Sequence, residues 1–132
     1  MQNINDKYEL FEKKNHNAEL GGGLQRIEKY KESGKLTARE RINLFFDPGT
    51  FNEFDKMVTH RCTNFDMEKQ IIAGDGVVAG YGKVDGRLVF AYAQDFTVFG
   101  GSLSRTNADK IIKVMKQALK MGAPVVGLND SG

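Results

Sequence analysis

Residues 87–132, RLVFAYAQDFTVFGGSLSRTNADKIIKVMKQALKMGAPVVGLNDSG, decide the fold of this chain. Residues 88–93 form a nearly continuous apolar run, which predicts a strand that is covered on both faces. Residues 124–128 predict a second, shorter apolar strand, and a helical segment lies between the two. A strand, a helix and a strand in this order predict a βαβ unit with parallel strands and a right-handed crossover.

The helix of this unit shows an apolar stripe and marked ends. Ser104, Thr106 or Asn107 is expected to cap its first turn, and Gly122 its last turn. Apolar residues recur every three or four positions and predict one buried face, made of Ala108, Ile111, Ile112, Met115, Ala118 and Leu119. The lysines between them are expected to point away from that face: Lys110, Lys113, Lys116 and Lys120.

Two small-residue segments follow the two predicted strands. Gly100, Gly101 and Ser102 come after the first strand, and Ser131 and Gly132 come after the second. In open α/β folds, ligands bind beyond the carboxyl ends of the strands, where the amides of loops and helix starts point outward. The sequence therefore predicts a ligand site where these two segments meet.

A further strand pair is predicted before the βαβ unit. Residues 74–84 repeat glycine at even positions, which permits close approach by another backbone or a ligand. Asp85-Gly86 is a two-residue hairpin signal, so this strand should pair antiparallel with the next one. The resulting strand, strand, helix order is typical of a crotonase-like spiral rather than of a plain Rossmann sheet. Residues 51–60 predict one more strand, and residues 64–73 an irregular loop.

The first 46 residues are expected to be mostly helical. Residues 1–20 predict a weakly amphipathic helix, which is either an arm against another subunit or a frayed terminus. Residues 21–23 are three glycines that predict a flexible hinge, since the features of a phosphate-binding P-loop are missing. A short helix should then run from Leu24 to Gly34. Thr37 and Glu40 form a capping box for a third helix, whose buried face is Ala38, Ile42, Phe45 and Phe46.

Composition narrows the class of protein. The 132 residues correspond to about one small domain. A formal net charge of +2, with acidic and basic residues interleaved, gives no sign of nucleic-acid binding. No apolar run is long enough for a membrane span, and the charged N-terminus fits neither a signal nor a transit peptide. Together with a single cysteine, these features predict a cytoplasmic protein.

His60 and Cys62 are the residues most easily mistaken for a catalytic or metal site. One cysteine and two histidines are too few for a zinc site, and no third group orients a nucleophile pair. Both residues are therefore expected to be structural, and no metal is predicted. Gln94 and Asp95 are likewise expected to cap nearby backbone amides.

Several motifs in one order carry a family resemblance. They are GKLTARERI at 34–42, DPGTF at 47–51, HRCTNF at 60–65, QDFTVFGGS at 94–102 and GAPVVGLNDSG at 122–132. With these motifs the chain resembles the carboxyltransferase subunit of biotin-dependent acyl-CoA carboxylases, in particular the propionyl-CoA carboxylase β-chain type. The resemblance implies that residues 1–132 are the start of the first of two crotonase-like domains, with residues 1–46 as a helical lead-in and residues 51–132 as the start of the core.

The resemblance also implies a function. A carboxyl group would move from carboxybiotin to the α-carbon of a short acyl-CoA, such as propionyl-CoA, through an enolate held by backbone amides. Biotin would be carried by a partner, the biotin carboxylase or biotin carrier subunit, and the whole carboxyltransferase would be a homo-oligomer. Residues 1–132 alone are expected to be inactive. The alternatives are the α subunit of a sodium-linked acyl-CoA decarboxylase and a non-catalytic acyl-CoA-binding or assembly module.

By the same resemblance, Ser131 and Gly132 begin the loop that supplies the first oxyanion donor, with Gly132 as a partial catalytic site. Gly100, Gly101 and Ser102 would lie against the acyl thioester or the pantetheine arm, and the alternative is a tight turn without a binding role. The phosphates of coenzyme A would be bound by Arg26, Lys35 and Arg39. For these three, the alternative is an ordinary solvated helix face.

Overall fold

The computed structural model describes residues 3–132, and Met1 and Gln2 lie outside the described residues. The helices are α1 (Ile4–Glu19), α2 (Leu24–Glu32), α3 (Ala38–Phe45) and α4 (Arg105–Met121). The strands are β1 (Asn52–Phe54), β2 (Val77–Val84), β3 (Arg87–Gln94) and β4 (Val125–Leu128). Two short 3₁₀ turns occupy Asn64–Lys69 and Phe99–Gly101.

The four strands form one mixed sheet in the order β1-β2-β3-β4. The first two pairs are antiparallel, and β3 pairs in parallel with β4, from Phe90 opposite Val125 to Ala93 opposite Leu128. Asp85 and Gly86 form the tight turn between β2 and β3, both with positive φ. The βαβ unit and the hairpin that precedes it are thus confirmed, and the fold is α/β with the crotonase-like ββα order.

Both faces of the sheet are covered by helices. On one face, Ala38 and Ile42 of α3 and Phe46, which follows it, pack against side chains of β2 and β3. On the other face, α4 packs Val114 and Ala118 against a second set from the same strands. The continuous apolar run of β3 is therefore buried on both sides, as predicted.

The predicted buried face of α4 is partly wrong. Ile112, Met115 and Leu119 are exposed, Leu119 by 84%. The helix instead buries a face that includes Lys110, which is only 2% exposed and donates from Nζ to the carbonyls of Gly74 and Val77. Spacing alone did not separate this face from its neighbour, because a long aliphatic stem can be buried when its ammonium group finds carbonyl acceptors.

The predicted helix caps are confirmed. Thr37 and Glu40 form the capping box of α3, and Ser104 and Asn107 form the equivalent pair at the start of α4. Gly122 adopts the left-handed conformation at the end of α4. These caps fix where α3 and α4 begin, and therefore where the loops beside them lie.

The glycines at 21–23 do not form a flexible hinge. The N–H of Gly22 donates to Thr97 Oγ1 at 3.1 Å. A Cβ atom at Gly22 would collide with the carbonyl of Thr97, so the chain is packed closely against the loop after β3. Glycine is needed here for close approach rather than for flexibility, and the junction fixes α2 beside that loop.

Two predicted strands are shorter than expected. The strand predicted over residues 51–60 ends at Phe54, because Asp55 has a positive φ that leaves the extended region. The strand predicted from residue 74 begins at Val77, after three consecutive residues with positive φ. Gly80 and Gly82 allow the close approach expected of them, Gly80 to the backbone of β1 and Gly82 to the ring of Phe46.

His60 has a structural role, as expected. It is buried, its Nδ1 accepts the N–H of Cys62 at 3.1 Å, and its Nε2 therefore donates to the carbonyl of Gln70 at 2.8 Å. Both ring nitrogens are satisfied by backbone groups of the loop between β1 and β2.

Candidate functional site

A cavity of about 500 Å³ lies between α2 and the loop that follows β3. Helix α2 is held there by the close contact between Gly22 and Thr97. The cavity is lined by Arg26, Lys29, Tyr30, Ser33, Lys35, Phe96, Thr97, Phe99 and Gly100. It therefore opens at the carboxyl end of β3, where the sequence predicts a ligand site.

The cavity lining is cationic. Arg26, Lys29 and Lys35 contribute three positive side chains, and no acidic residue is among the lining residues. Arg26 and Lys29 are three positions apart, so they share one face of α2. Such a lining favours a ligand with several negative charges. Sequence reasoning found Arg26 and Lys35 but missed Lys29, although the helical spacing from Arg26 was a usable signal.

Two aromatic rings form an apolar wall of the cavity. Tyr30 and Phe96 are stacked, with ring centroids 5.9 Å apart and an interplanar angle of 25°. Lys35 Nζ lies 5.6 Å from the centroid of Tyr30 and 5.5 Å from that of Phe96. Cation–π contacts of this kind hold a lysine at the rim without neutralising its charge.

Tyr30 connects the cavity to the end of the chain. Its hydroxyl donates to the carboxylate of Asp130, and Lys35 Nζ lies 3.8 Å from the second oxygen of that carboxylate. Burial, and then the hydrogen bond to Asp130, raises the pKa of Tyr30 to about 12. The hydroxyl is therefore protonated at neutral pH and acts as a donor to Asp130.

The two small-residue segments meet, as predicted. The N–H of Gly132 donates to the carbonyl of Gly100 at 3.0 Å. Gly101 has φ +71° and is buried, and a Cβ atom there would collide with the carbonyl of Asp130. Glycine at 101 thus permits contact between the two loops, which we name the β3 loop (residues 99–102) and the β4 loop (residues 129–132).

The predicted site residues differ in what they can offer a ligand. Ser102 Oγ donates to the carbonyl of Phe99 at 2.7 Å, so this hydroxyl is used within its own loop. The Gly132 amide, expected to begin the oxyanion loop, already has an intramolecular acceptor in Gly100. By contrast, the N–H groups of Gly100 and Ser131 donate to no acceptor within residues 3–132.

Arg39 does not belong to the cavity. Its guanidinium forms two hydrogen bonds with the carboxylate of Glu53, at 2.7 and 3.1 Å, and its side chain is absent from the cavity lining. The prediction that Arg39 contacts coenzyme A phosphates is therefore dropped. A bidentate, half-buried ion pair already uses the donors that a phosphate would need.

Two residues near the loops have roles that the sequence did not reveal. Gln94, expected to cap nearby backbone amides, accepts the N–H of Asp130 at 3.0 Å in that role, and it also donates from Nε2 to the carbonyl of Gly101 at 3.3 Å. Arg41, in α3, donates to the carbonyls of Gln94 and Leu128. Three of these four hydrogen bonds join residues that are 36 to 87 positions apart, so no local sequence pattern could indicate them.

Within residues 3–132, no group of three or more histidine, cysteine or acidic side chains is arranged to hold a metal ion. In the same range, no helix combines the length and the hydrophobicity needed to cross a membrane.

Comparison with known proteins identifies the family. The Carboxyl transferase domain family matches residues 29–132, which include most of the cavity and both loops. The chain belongs to this family. The resemblance on which the sequence analysis relied is therefore confirmed.

Members of the carboxyl transferase family with assigned names are similar over nearly the whole chain. The α subunit of methylmalonyl-CoA decarboxylase from Veillonella parvula is 54% identical over 132 residues, which are 100% of this chain and 26% of that protein. The propionyl-CoA carboxylase β chain of Roseobacter denitrificans is 54% identical over 129 residues, which cover 98% of this chain and 25% of that protein. The chain thus spans about a quarter of the length of these relatives.

Solved structures of similar proteins have the same fold as this chain. A transcarboxylase 12S crystal structure, described as a hexamer with methylmalonyl-coenzyme A and methylmalonic acid bound, superposes with a TM-score of 0.96 at 42% identity. It is matched by 100% of this chain over 26% of its own length. A single-chain, multi-domain long-chain acyl-CoA carboxylase shares the fold, with a TM-score of 0.84 at 24% identity over 100% of this chain and 14% of that one.

Proposed function

We propose that this chain forms the acyl-CoA-binding part of a biotin-dependent carboxyltransferase that acts on a short acyl-CoA such as propionyl-CoA. One observation carries the proposal: a cavity lined by three cations and by no acidic residue opens at the β3 loop, which contacts the β4 loop, and both loops have unpaired amides. A coenzyme A thioester fits this arrangement, because its phosphates lie at one end of the molecule and its thioester carbonyl lies at the other. The named relatives act on CoA thioesters, which supports the assignment.

In this proposal the cavity binds the nucleotide end of the substrate. Arg26, Lys29 and Lys35 bind the phosphates, since cationic side chains form strong hydrogen bonds with phosphate oxygens. The stacked rings of Tyr30 and Phe96 provide apolar surface for the remainder of the nucleotide or for the pantetheine arm. Gly100 at the edge of the cavity lets the arm pass the β3 loop without a side chain in the way.

The chemistry requires an enolate at the carbon beside the thioester carbonyl. Fixed N–H groups aimed at the developing oxyanion contribute about 3 kcal/mol each to such reactions. Gly100 and Ser131 carry amides that are free for this purpose, whereas Gly132 is engaged by Gly100. The β4 loop is therefore proposed to begin the oxyanion site, with Gly132 becoming a donor only if its contact with Gly100 opens.

Biotin, carried on a partner subunit, supplies the carboxyl group in this proposal, and no residue of this segment is assigned to it. Residues 1–132 alone are expected to lack transfer activity. A cytoplasmic location and a homo-oligomeric whole protein remain predictions.

A decarboxylase is the second candidate function, because one named relative is a methylmalonyl-CoA decarboxylase α subunit. The same cavity and loops would serve either direction, since both reactions pass through the enolate of an acyl-CoA. A non-catalytic acyl-CoA-binding module would use the cavity but not the free amides. Assaying carboxyl transfer on the full-length protein separates a carboxyltransferase from a non-catalytic module. A carboxylase and a decarboxylase share this reversible step, so they are distinguished by whether the full-length protein purifies with a biotin carboxylase subunit or with a sodium-linked decarboxylase complex.

The binding part of the proposal is tested by isothermal titration of the full-length protein with propionyl-CoA and with free coenzyme A. The double variant Arg26→Gln/Lys35→Gln should weaken both affinities about tenfold, since it removes two phosphate contacts. Lys116→Gln is the matched control, because Lys116 is exposed on α4 and outside the cavity. Equal affinities in the double variant, the control and the wild type would contradict the proposed cavity.

A further inference from the structure

The parallel pairing of β3 and β4 ends shortly before the two loops begin. Ala93 opposite Leu128 is the last pair of this ladder. At this end of the ladder, the carbonyls of Leu128 and Gln94 accept hydrogen bonds from Arg41, at 2.9 Å to Nη1 and 2.6 Å to Nη2. One guanidinium on α3 therefore joins the two strands at the end of their pairing.

The geometry of arginine suits this contact. Its guanidinium is planar and presents donors in a rigid fork, so two bound carbonyls are held at a fixed separation. The Nε–H of Arg41 is buried and has no acceptor among the described residues. A buried donor without an acceptor costs stability. The guanidinium nevertheless lies where it binds both strand-end carbonyls, at the cost of leaving this one donor unsatisfied.

The side chain of Gln94 continues the connection one step toward the loops. Its amide nitrogen donates to the carbonyl of Gly101 in the β3 loop, and its amide oxygen accepts the N–H of Asp130 in the β4 loop. Gln94 is buried, so these bonds are shielded from competition with water. Arg41 thus holds the backbone of Gln94, and the side chain of Gln94 holds both loops.

We propose that Arg41 and Gln94 are positioning residues that set the distance between the β3 loop and the β4 loop. This inference rests on the proposed function, because that distance fixes where the free amides of Gly100 and Ser131 lie relative to a thioester carbonyl. Neither residue lines the cavity, so neither contributes a cation to it. Their loss should therefore lower the rate of the reaction far more than it weakens the binding of coenzyme A.

Two variants of the full-length protein test the proposal. Arg41→Lys keeps the positive charge but cannot hold two carbonyls in a fork, and Gln94→Met keeps the size but removes both hydrogen bonds. Each should lower kcat about 100-fold, the loss typical of a misplacement of about 1 Å. The KM for propionyl-CoA and the Kd for free coenzyme A should change by less than about tenfold, because the cations of the cavity are retained.

Hydrogen–deuterium exchange on the ligand-free protein provides a readout that does not depend on activity. Peptides covering residues 95–104 and 126–132 should exchange at least about tenfold faster in both variants, while peptides of β2 remain unchanged. Glu53→Gln is the control for general destabilisation. It weakens the ion pair with Arg39, which lies on the same helix as Arg41, and it leaves the two loops unaltered.

The outcomes separate the two proposals. Unchanged exchange of both loops in the variants overturns the positioning role, and so does faster exchange with an unaltered kcat. If Glu53→Gln lowers kcat as much as the two variants do, the effect is general destabilisation and the positioning role also fails. A wild-type protein that neither binds nor transforms acyl-CoA overturns the proposed function instead, and loop exchange then decides the positioning role by itself.

Discussion

At the scale of single residues, the molecule depends on polar side chains that reach backbone carbonyls far away in sequence. Lys110 is the clearest case, because its ammonium is buried beneath α4 and donates to Gly74 and Val77. Burial lowers the pKa of Lys110 to about 8, against the opposing influence of Glu53, Asp55 and Asp75. A lysine in this state makes stability depend on pH.

The sign of this dependence follows from proton linkage. The folded state binds the Lys110 proton less tightly than the unfolded state, so folding loses stability from this group below about pH 8 and regains it as pH rises toward 10.5. The free energy of unfolding of the wild type should therefore rise over that window, relative to Lys110→Met, by an amount on the order of 3 kcal/mol.

Urea unfolding of both proteins between pH 7 and 10.5 measures this difference. Lys116→Met is the control, since Lys116 is exposed on the same helix. If the free energies of unfolding of Lys110→Met and Lys116→Met depend on pH in the same way, the lowered pKa of buried Lys110 is contradicted.

At the scale of elements, the position of α2 depends on the close contact of Gly22 with Thr97. Gly22→Ala should destabilise the protein by about 2–3 kcal/mol, because the added methyl group collides with the Thr97 carbonyl and displaces the junction. Gly49→Ala is a matched control, since Gly49 has φ +73° but open space around its missing side chain. That variant should cost only about 1 kcal/mol from the left-handed backbone.

Thermal unfolding of the two glycine variants distinguishes packing from backbone strain. An equal loss of stability in both would mean that Gly22 serves only conformational freedom, as a hinge glycine would. The same comparison in the coenzyme A titration should show weaker binding for Gly22→Ala alone, since α2 carries one wall of the cavity.

Elements with local signals were predictable from sequence, and those set by distant partners were not. The capping boxes at Thr37 and Ser104 and the hairpin at Asp85-Gly86 each lie within a few residues, so their sequence decides their structure. The buried face of α4 was misjudged, because Lys110 finds its acceptors at Gly74 and at the start of β2, more than thirty positions earlier.

The candidate site shows the same division. The meeting of the two glycine loops follows from parallel strands, so sequence placed Gly100 and Gly132 together correctly. Arg39 and Arg41 are two positions apart on one helix, yet one pairs with Glu53 and the other joins two strand ends. Only the packing of α3 on the sheet decides which arginine faces the loops.

At the scale of the whole molecule, the described segment carries apolar surface that its own elements do not cover. Ile112, Met115 and Leu119 are exposed along one face of α4. Since exposed apolar patches of this kind promote association, isolated residues 1–132 should form dimers or larger species in solution. Replacing the three residues with glutamine should shift the population toward the monomer.

Size-exclusion chromatography with light scattering measures this shift, and Lys116→Gln serves as the control on the same helix. A monomeric wild-type segment at high concentration would contradict the expectation. Equal association of the triple variant and the wild type would show that another surface, such as α1 with its exposed Tyr8 and Phe11, is responsible.

The hydrogen bond between Tyr30 and Asp130 joins residues 100 positions apart. During synthesis, the N-terminal helices leave the ribosome long before Asp130 does, since translation proceeds at about 5–20 residues per second. The hydroxyl of Tyr30 must remain solvated for that interval, and the cavity wall that it supports can mature only after β4 has joined the sheet. The cavity is thus among the last features of this segment to be completed, although two of its cations, Arg26 and Lys29, are translated about 100 residues before Asp130.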